Sequence, residues 1–96
     1  MYGTVARFRV KSGMADKLTE HMRSYGSMSV PGLVSTRVYR MDADASEYYL
    51  AVVFTDKDAY EKNAGSPEQN ARYEAFAALL EGAPEWHDGE IVYSEG

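Results

Sequence analysis

Two histidines, eight tyrosines and no cysteine set the chemistry open to this chain of 96 residues. Without thiols there is no disulfide framework, no thiolate zinc site and no cysteine nucleophile. His21 falls in the repeat Met14, Leu18, His21, Tyr25, a helical spacing that turns it toward the interior near the edge of an apolar stripe. It is either a base whose pKa is tuned by partial burial or a core-edge histidine bonded to a backbone carbonyl. His87, in Trp86-His87-Asp88-Gly89, is explained equally well by a turn into a strand and by a ligand role. Two histidines on distant elements, with no HxH or HExxH spacing, give no metal site. The tyrosines could line a cavity and hydrogen-bond the oxygens of an aromatic substrate. Tyr2, Tyr39, Tyr48, Tyr49 and Tyr93 nevertheless sit in strand-like runs, where aromatic side chains commonly serve core and interface. The glycines show neither GxGxxG nor GxxxxGK, so no nucleotide cofactor is expected. Asp42 and Asp44 read as a solvated turn, since no calcium-ligand series follows them.

These side chains must be positioned by the elements around them. Residues 2 to 10 alternate Thr4, Ala6, Phe8 and Val10 with Val5, Arg7 and Arg9, the period of a strand with unlike faces. After Lys11-Ser12-Gly13, the apolar residues Met14, Leu18, Met22 and Tyr25, with Ala15, predict an amphipathic helix that stops near Gly26. Val30-Pro31-Gly32 is a turn, residues 33 to 41 predict a second strand, and a short polar loop leads to a third over 47 to 55. That third strand has Tyr48, Leu50, Val52 and Phe54 on one face and Tyr49, Ala51 and Val53 on the other, so both faces call for cover. Helices can shield one face in a chain this short, which leaves the second to another subunit. Thr55 with Asp58 predicts the start of a short helix over 56 to 64, ended by Gly65. Ser66-Pro67-Glu68-Gln69 then supplies a cap, a proline at the first helical position and a glutamine placed to reach back. Tyr73, Phe76, Ala77 and Leu80 form the buried stripe of this helix, Gly82 and Pro84 end it, and residues 86 to 94 predict a last strand. The order strand, helix, strand, strand, helix pair, strand makes an α+β, ferredoxin-like fold: a four-stranded antiparallel sheet with helices on one face.

Composition limits the partners. At this length residues 1–96 make a single domain with one core. The chain is 45% apolar and 26% charged, as expected of a folded globular protein. Its net charge of −5 is unevenly divided, with seven basic and five acidic residues up to Tyr48 but three and ten from Tyr49 onward. An acidic second half argues against nucleic acid or an anionic membrane surface. No apolar run approaches the ~20 residues of a membrane span, and the N-terminus shows no signal-peptide pattern, so a cytoplasmic location is expected.

The element order, the Val30-Pro31-Gly32 hinge, the stretch FTDKDAYEKNAGSPEQNARYEAF over residues 54–76 and the closing EWHDGEIV resemble the antibiotic biosynthesis monooxygenase family of the dimeric α/β-barrel superfamily. The resemblance implies a homodimer in which two sheets pack face to face, with a small-molecule cavity in each subunit between sheet and helices. Members include cofactor-independent monooxygenases of polycyclic phenols, haem-degrading enzymes and proteins with no assigned activity. The haem-degrading members use an asparagine on the first strand, a tryptophan in the short helix and a histidine in the next; those places fall here at Ala6, Asn63 and Tyr73. None matches, so haem degradation is not expected. Tyr73 occupies the haem-ligand place on a helix face directed at the sheet, where it is either a core tyrosine or a cavity group.

The expected function is a cofactor-independent monooxygenase of a small aromatic or phenolic compound, in which the substrate's own carbanion reduces oxygen while the protein supplies a base and a dry, oriented pocket. The alternative is a noncatalytic dimeric module that binds a small hydrophobic metabolite. In either case the ligand is expected between the first helix, the helix carrying Tyr73 and the sheet, with His21, Asn63, Tyr73 and Phe76 at its wall and His21 as candidate base.

Overall fold

The computed structural model describes residues 1–26 and 29–95, with Tyr25 and Gly26 described by backbone alone. Tyr25, expected on the inner stripe of the first helix, therefore lies outside the described side chains. The chain runs β1 (Tyr2–Arg9), α1 (Ala15–Gly26), β2 (Leu33–Arg40), β3 (Glu47–Phe54), α2 (Lys57–Ala64), α3 (Pro67–Ala77) and β4 (Glu85–Glu90). The strands form one antiparallel sheet in the order β2-β3-β1-β4. The architecture is α+β and ferredoxin-like, with β1 and β3 at the centre, the place that the two-sided apolar pattern of β3 calls for.

One sheet face carries the core, and side-chain size varies along it. At one end Phe8 and Tyr48, directly opposite each other, stack at 5.7 Å, and Phe76 of α3 meets Phe8 edge-on at 5.0 Å. Val10, Leu18 and Leu80 close this end. Burial of each such side chain contributes ~1.5–3 kcal/mol. At the other end the same face carries Thr4 and Val52, short side chains that floor a gap beneath the helices. Tyr60 of α2 and Phe54 pack edge-on at 5.6 Å beside that gap.

Helix starts follow local chemistry. Ser66 caps α3 with Oγ accepting from Gln69 N at 3.1 Å and Pro67 in the first turn, as its sequence predicts. Gln69 does not close the box, because the Ser66 N–H is taken by the Asn63 carbonyl at 3.1 Å. The α2 cap is Asp56 rather than Thr55: Asp56 Oδ1 accepts from Ala59 N at 2.8 Å, whereas Thr55 N is bound to the Gly32 carbonyl. Gly32 has φ +81°, and a Cβ there would stand 2.5 Å from that of Ala59, so the turn before β2 requires glycine on both counts.

Three further expectations are corrected. β4 ends at Glu90 instead of continuing to residue 94, because β1 begins at Tyr2 opposite Glu90 and the Ile91 N–H makes a last bond to the Met1 carbonyl. Val92, 90% exposed, and Tyr93 are thus outside the sheet. α3 ends at Ala77, and Leu80 reaches the core through a bridge to Val10 rather than from the helix. Ala15, placed with the apolar stripe of α1, is exposed.

Candidate functional site

The gap over the small end of the sheet is a cavity of about 440 Å³. Its floor includes one row across all four strands: Thr36, Val52, Thr4 and Asp88 stand opposite one another from β2 to β4. Leu50 and Trp86 extend the floor, and Met22, Tyr60, Tyr73 and Phe76 come down from the three helices. The lining is mainly apolar with a few polar groups, the usual character of a small-molecule site.

Asn63, Tyr73 and Phe76 all line this cavity. Phe76 is buried, while Tyr73 is half-buried with its ring 6.3 Å from Trp86. His21 does not line it. Its ring stacks on Phe76 at 6.1 Å, and the next residue, Met22, is the one that α1 turns to the cavity. Successive helical side chains diverge by about 100°, so only one of these two neighbours can face the gap. Burial lowers the His21 pKa, and the nearby Arg72 charge lowers it further.

Two polar groups occupy the cavity wall. Arg72, one turn after Gln69, donates from Nε and Nη2 to Gln69 Oε1 at 3.3 and 3.2 Å and from Nη2 to Asn63 Oδ1 at 3.2 Å. Asn63 Nδ2 also donates to Gln69 Oε1 at 3.4 Å. This network fixes a guanidinium at the α2–α3 junction, between the cavity and a second groove of about 810 Å³ beside Val30 and Asp56. In the second group, Tyr60 donates its hydroxyl to Asp88 Oδ1 at 2.8 Å. Burial, then the bond to Asp88, pushes the Tyr60 pKa up to about 12. Arg72, Tyr60, Thr4 and Asp88 were not singled out from the sequence. No local pattern could have found the pair of Thr4 and Asp88, which depends on the register of β1 against β4.

Among the described residues no three His, Cys, Asp or Glu converge to hold a metal ion, and no helix is long and apolar enough to cross a membrane. His87 is exposed on the opposite sheet face, 3.4 Å from Glu85.

Comparison with known families decides the lineage. The sequence model described as "Antibiotic biosynthesis monooxygenase" matches residues 1–81, most of the chain. The chain belongs to the antibiotic biosynthesis monooxygenase family. Solved structures of such monooxygenases share its fold. SnoaB from Streptomyces nogalater, a cofactor-independent oxygenase solved as an asparagine-to-alanine mutant, superposes with a TM-score of 0.80 at 21% identity, over 97% of this chain and 94% of its own. A protein from Caulobacter crescentus described by the family name gives 0.82 at 19%, over 96% and 90%. Another from Chloroflexus aurantiacus gives 0.79 at 22%, over 99% and 96%. At such identities the likeness is one of fold. No curated protein matches the chain by sequence.

Proposed function

We propose that the chain is a cofactor-independent monooxygenase of a small aromatic or phenolic compound, bound in the cavity between sheet and helices. The observation that carries this reading is the Arg72 guanidinium fixed at the wall of a mainly apolar cavity. A phenol entering beside it is favoured as its anion, because a cation in a low-dielectric site stabilises negative charge more than water-exposed cations do. The electron-rich anion is then the reductant: phenol plus O2 gives quinone plus water. The C–H carbon becomes C=O, the hydroxyl becomes the second C=O, and the other oxygen atom leaves as water with both hydrogens. The substrate supplies all four electrons. Asn63 and Tyr73 serve as hydrogen-bond partners for the substrate oxygens, and Phe76 and Trp86 hold its ring.

In this scheme Arg72 assists ionisation of the substrate, and His21, stacked behind Phe76, is not required as the base. The supporting test is oxygen uptake with hydroxylated naphthalenes, measured against a protein-free blank. Uptake well above the blank, reduced by Arg72→Gln at least ~10-fold, is expected, since loss of one donor to a developing oxyanion commonly costs 10²–10³. Binding of the same compounds with no uptake would instead establish the noncatalytic module.

The protein is also proposed to act as a homodimer through the sheet face turned away from the helices. Tyr49, Ala51 and Val53 of β3 lie there beside Val5 and Tyr39, each about half exposed. That apolar strip matches the core of an interface better than a solvated face.

A further inference from the structure

Thr4 stands in the middle of the floor row and is 5% exposed. Its hydroxyl faces that of Tyr60, and this side-chain interaction opposes the rise in the Tyr60 pKa. Yet no group among the described residues meets Oγ1 at hydrogen-bonding distance and angle. A buried hydroxyl with no partner is costly, whereas valine would offer the same shape without that cost. The position is therefore poor for packing and suited to a bound group.

The surroundings define that group. Asp88 is directly opposite Thr4 on β4, at the close Cβ separation of facing antiparallel residues, and Tyr60 descends from α2 to give its proton to Asp88 Oδ1. The corner thus offers carboxylate and phenol oxygens as acceptors, together with a Thr4 hydroxyl that can donate or accept. A carbonyl or carboxylate of a ligand would be repelled by Asp88. A hydroxyl can accept from Thr4 and donate to Asp88 together. Elsewhere on the wall, the Arg72 and Asn63 cluster has the opposite preference, for an anionic or carbonyl oxygen.

We propose that Thr4 and the Tyr60–Asp88 pair form a hydroxyl-binding subsite, so that the cavity takes an aromatic compound with a hydroxyl at Thr4 and an anionic or carbonyl oxygen at Arg72. The two unlike corners orient the ring system and present one edge of it for reaction. The inference rests on the cavity being an aromatic-binding site, and its test separates the two ideas.

The probes are 2-naphthoic acid and 6-hydroxy-2-naphthoic acid, which share the ring and carboxylate and differ by one hydroxyl, each titrated by fluorescence. The wild type is expected to bind the hydroxy acid ~5–10-fold more tightly, the worth of one good hydrogen bond. Thr4→Val brings the ratio close to one while leaving 2-naphthoic acid binding and the ligand-free melting temperature unchanged or raised. Thr4→Ser retains the preference. Equal binding of the two acids by the wild type, or a preference that survives in Thr4→Val, overturns the subsite and leaves the aromatic cavity standing. Binding of neither acid overturns both. A Thr4→Val protein that melts lower or does not fold shows that the hydroxyl is structural, which also overturns the subsite.

Discussion

His21 shows how a single step along a helix decides what a titratable group can do. Its helical spacing directs it inward, and the structure does bury it partly, but against Phe76 rather than at the cavity wall. The lowered pKa has a consequence for stability. The unfolded chain takes up a proton near pH 6.5 while the folded chain resists doing so. Stability is therefore full above about pH 6.5 and declines as pH falls from there through the lower folded-state pKa. In His21→Gln this decline should disappear, as thermal melts at pH 7.5 and 5.5 would show, and oxygen uptake by a found substrate should stay within ~3-fold, a change of under 1 kcal/mol. Loss of uptake in a variant that remains folded would restore His21 as the base.

At the scale of elements, the α2–α3 junction links capping to the site. Ser66 Oγ accepts from Gln69 N and donates to the Asn63 carbonyl, so one hydroxyl ties the start of α3 to the residue that holds Arg72. Ser66→Ala is expected to lose about 1 kcal/mol of stability, read as a melting temperature lower by roughly 4–8 °C for a domain of this size. Binding of 6-hydroxy-2-naphthoic acid should weaken as well, because Asn63 and Arg72 lose a common anchor. A lower melting temperature with unchanged binding would show that the cap stabilises the helix without positioning the site.

For the whole molecule, the decisive feature is a sheet with helices on only one face. The uncovered face mixes apolar Val5, Ala51 and Val53 with charged groups, including the ion pair of Arg7 and Glu47. A stable two-fold dimer through it should bury upwards of ~1,200 Å² in total. Sedimentation equilibrium at micromolar concentration is expected to give twice the chain mass, and Val5→Lys together with Val53→Lys to give monomers. A wild-type monomer under those conditions would refute the face as an interface.

The alternation of Thr4, Ala6, Phe8 and Val10, the Ser66-Pro67 cap and the Val30-Pro31-Gly32 turn sufficed to place the strands and helices, because period, capping and turn chemistry act over a few neighbouring residues. Helical spacing placed Tyr73 and Phe76 on one inner face, and Asn63 was named only through the family resemblance; all three line the cavity. Sequence could not show that β4 stops at Glu90, because that end depends on where its neighbour β1 begins. Nor could it show that Asp56 displaces Thr55 as the cap, since the Thr55 N–H is bound by Gly32 some twenty residues away. The cavity itself was decided only by tertiary structure. It exists because Thr4 and Val52, separated along the chain, fall side by side on the sheet, while the bulkier Phe8 and Tyr48 further along the same face pack with Phe76 of α3. The exchange of His21 for Met22 at its wall, and the meeting of Thr4, Tyr60 and Asp88, follow from how three elements pack, which no local pattern specifies.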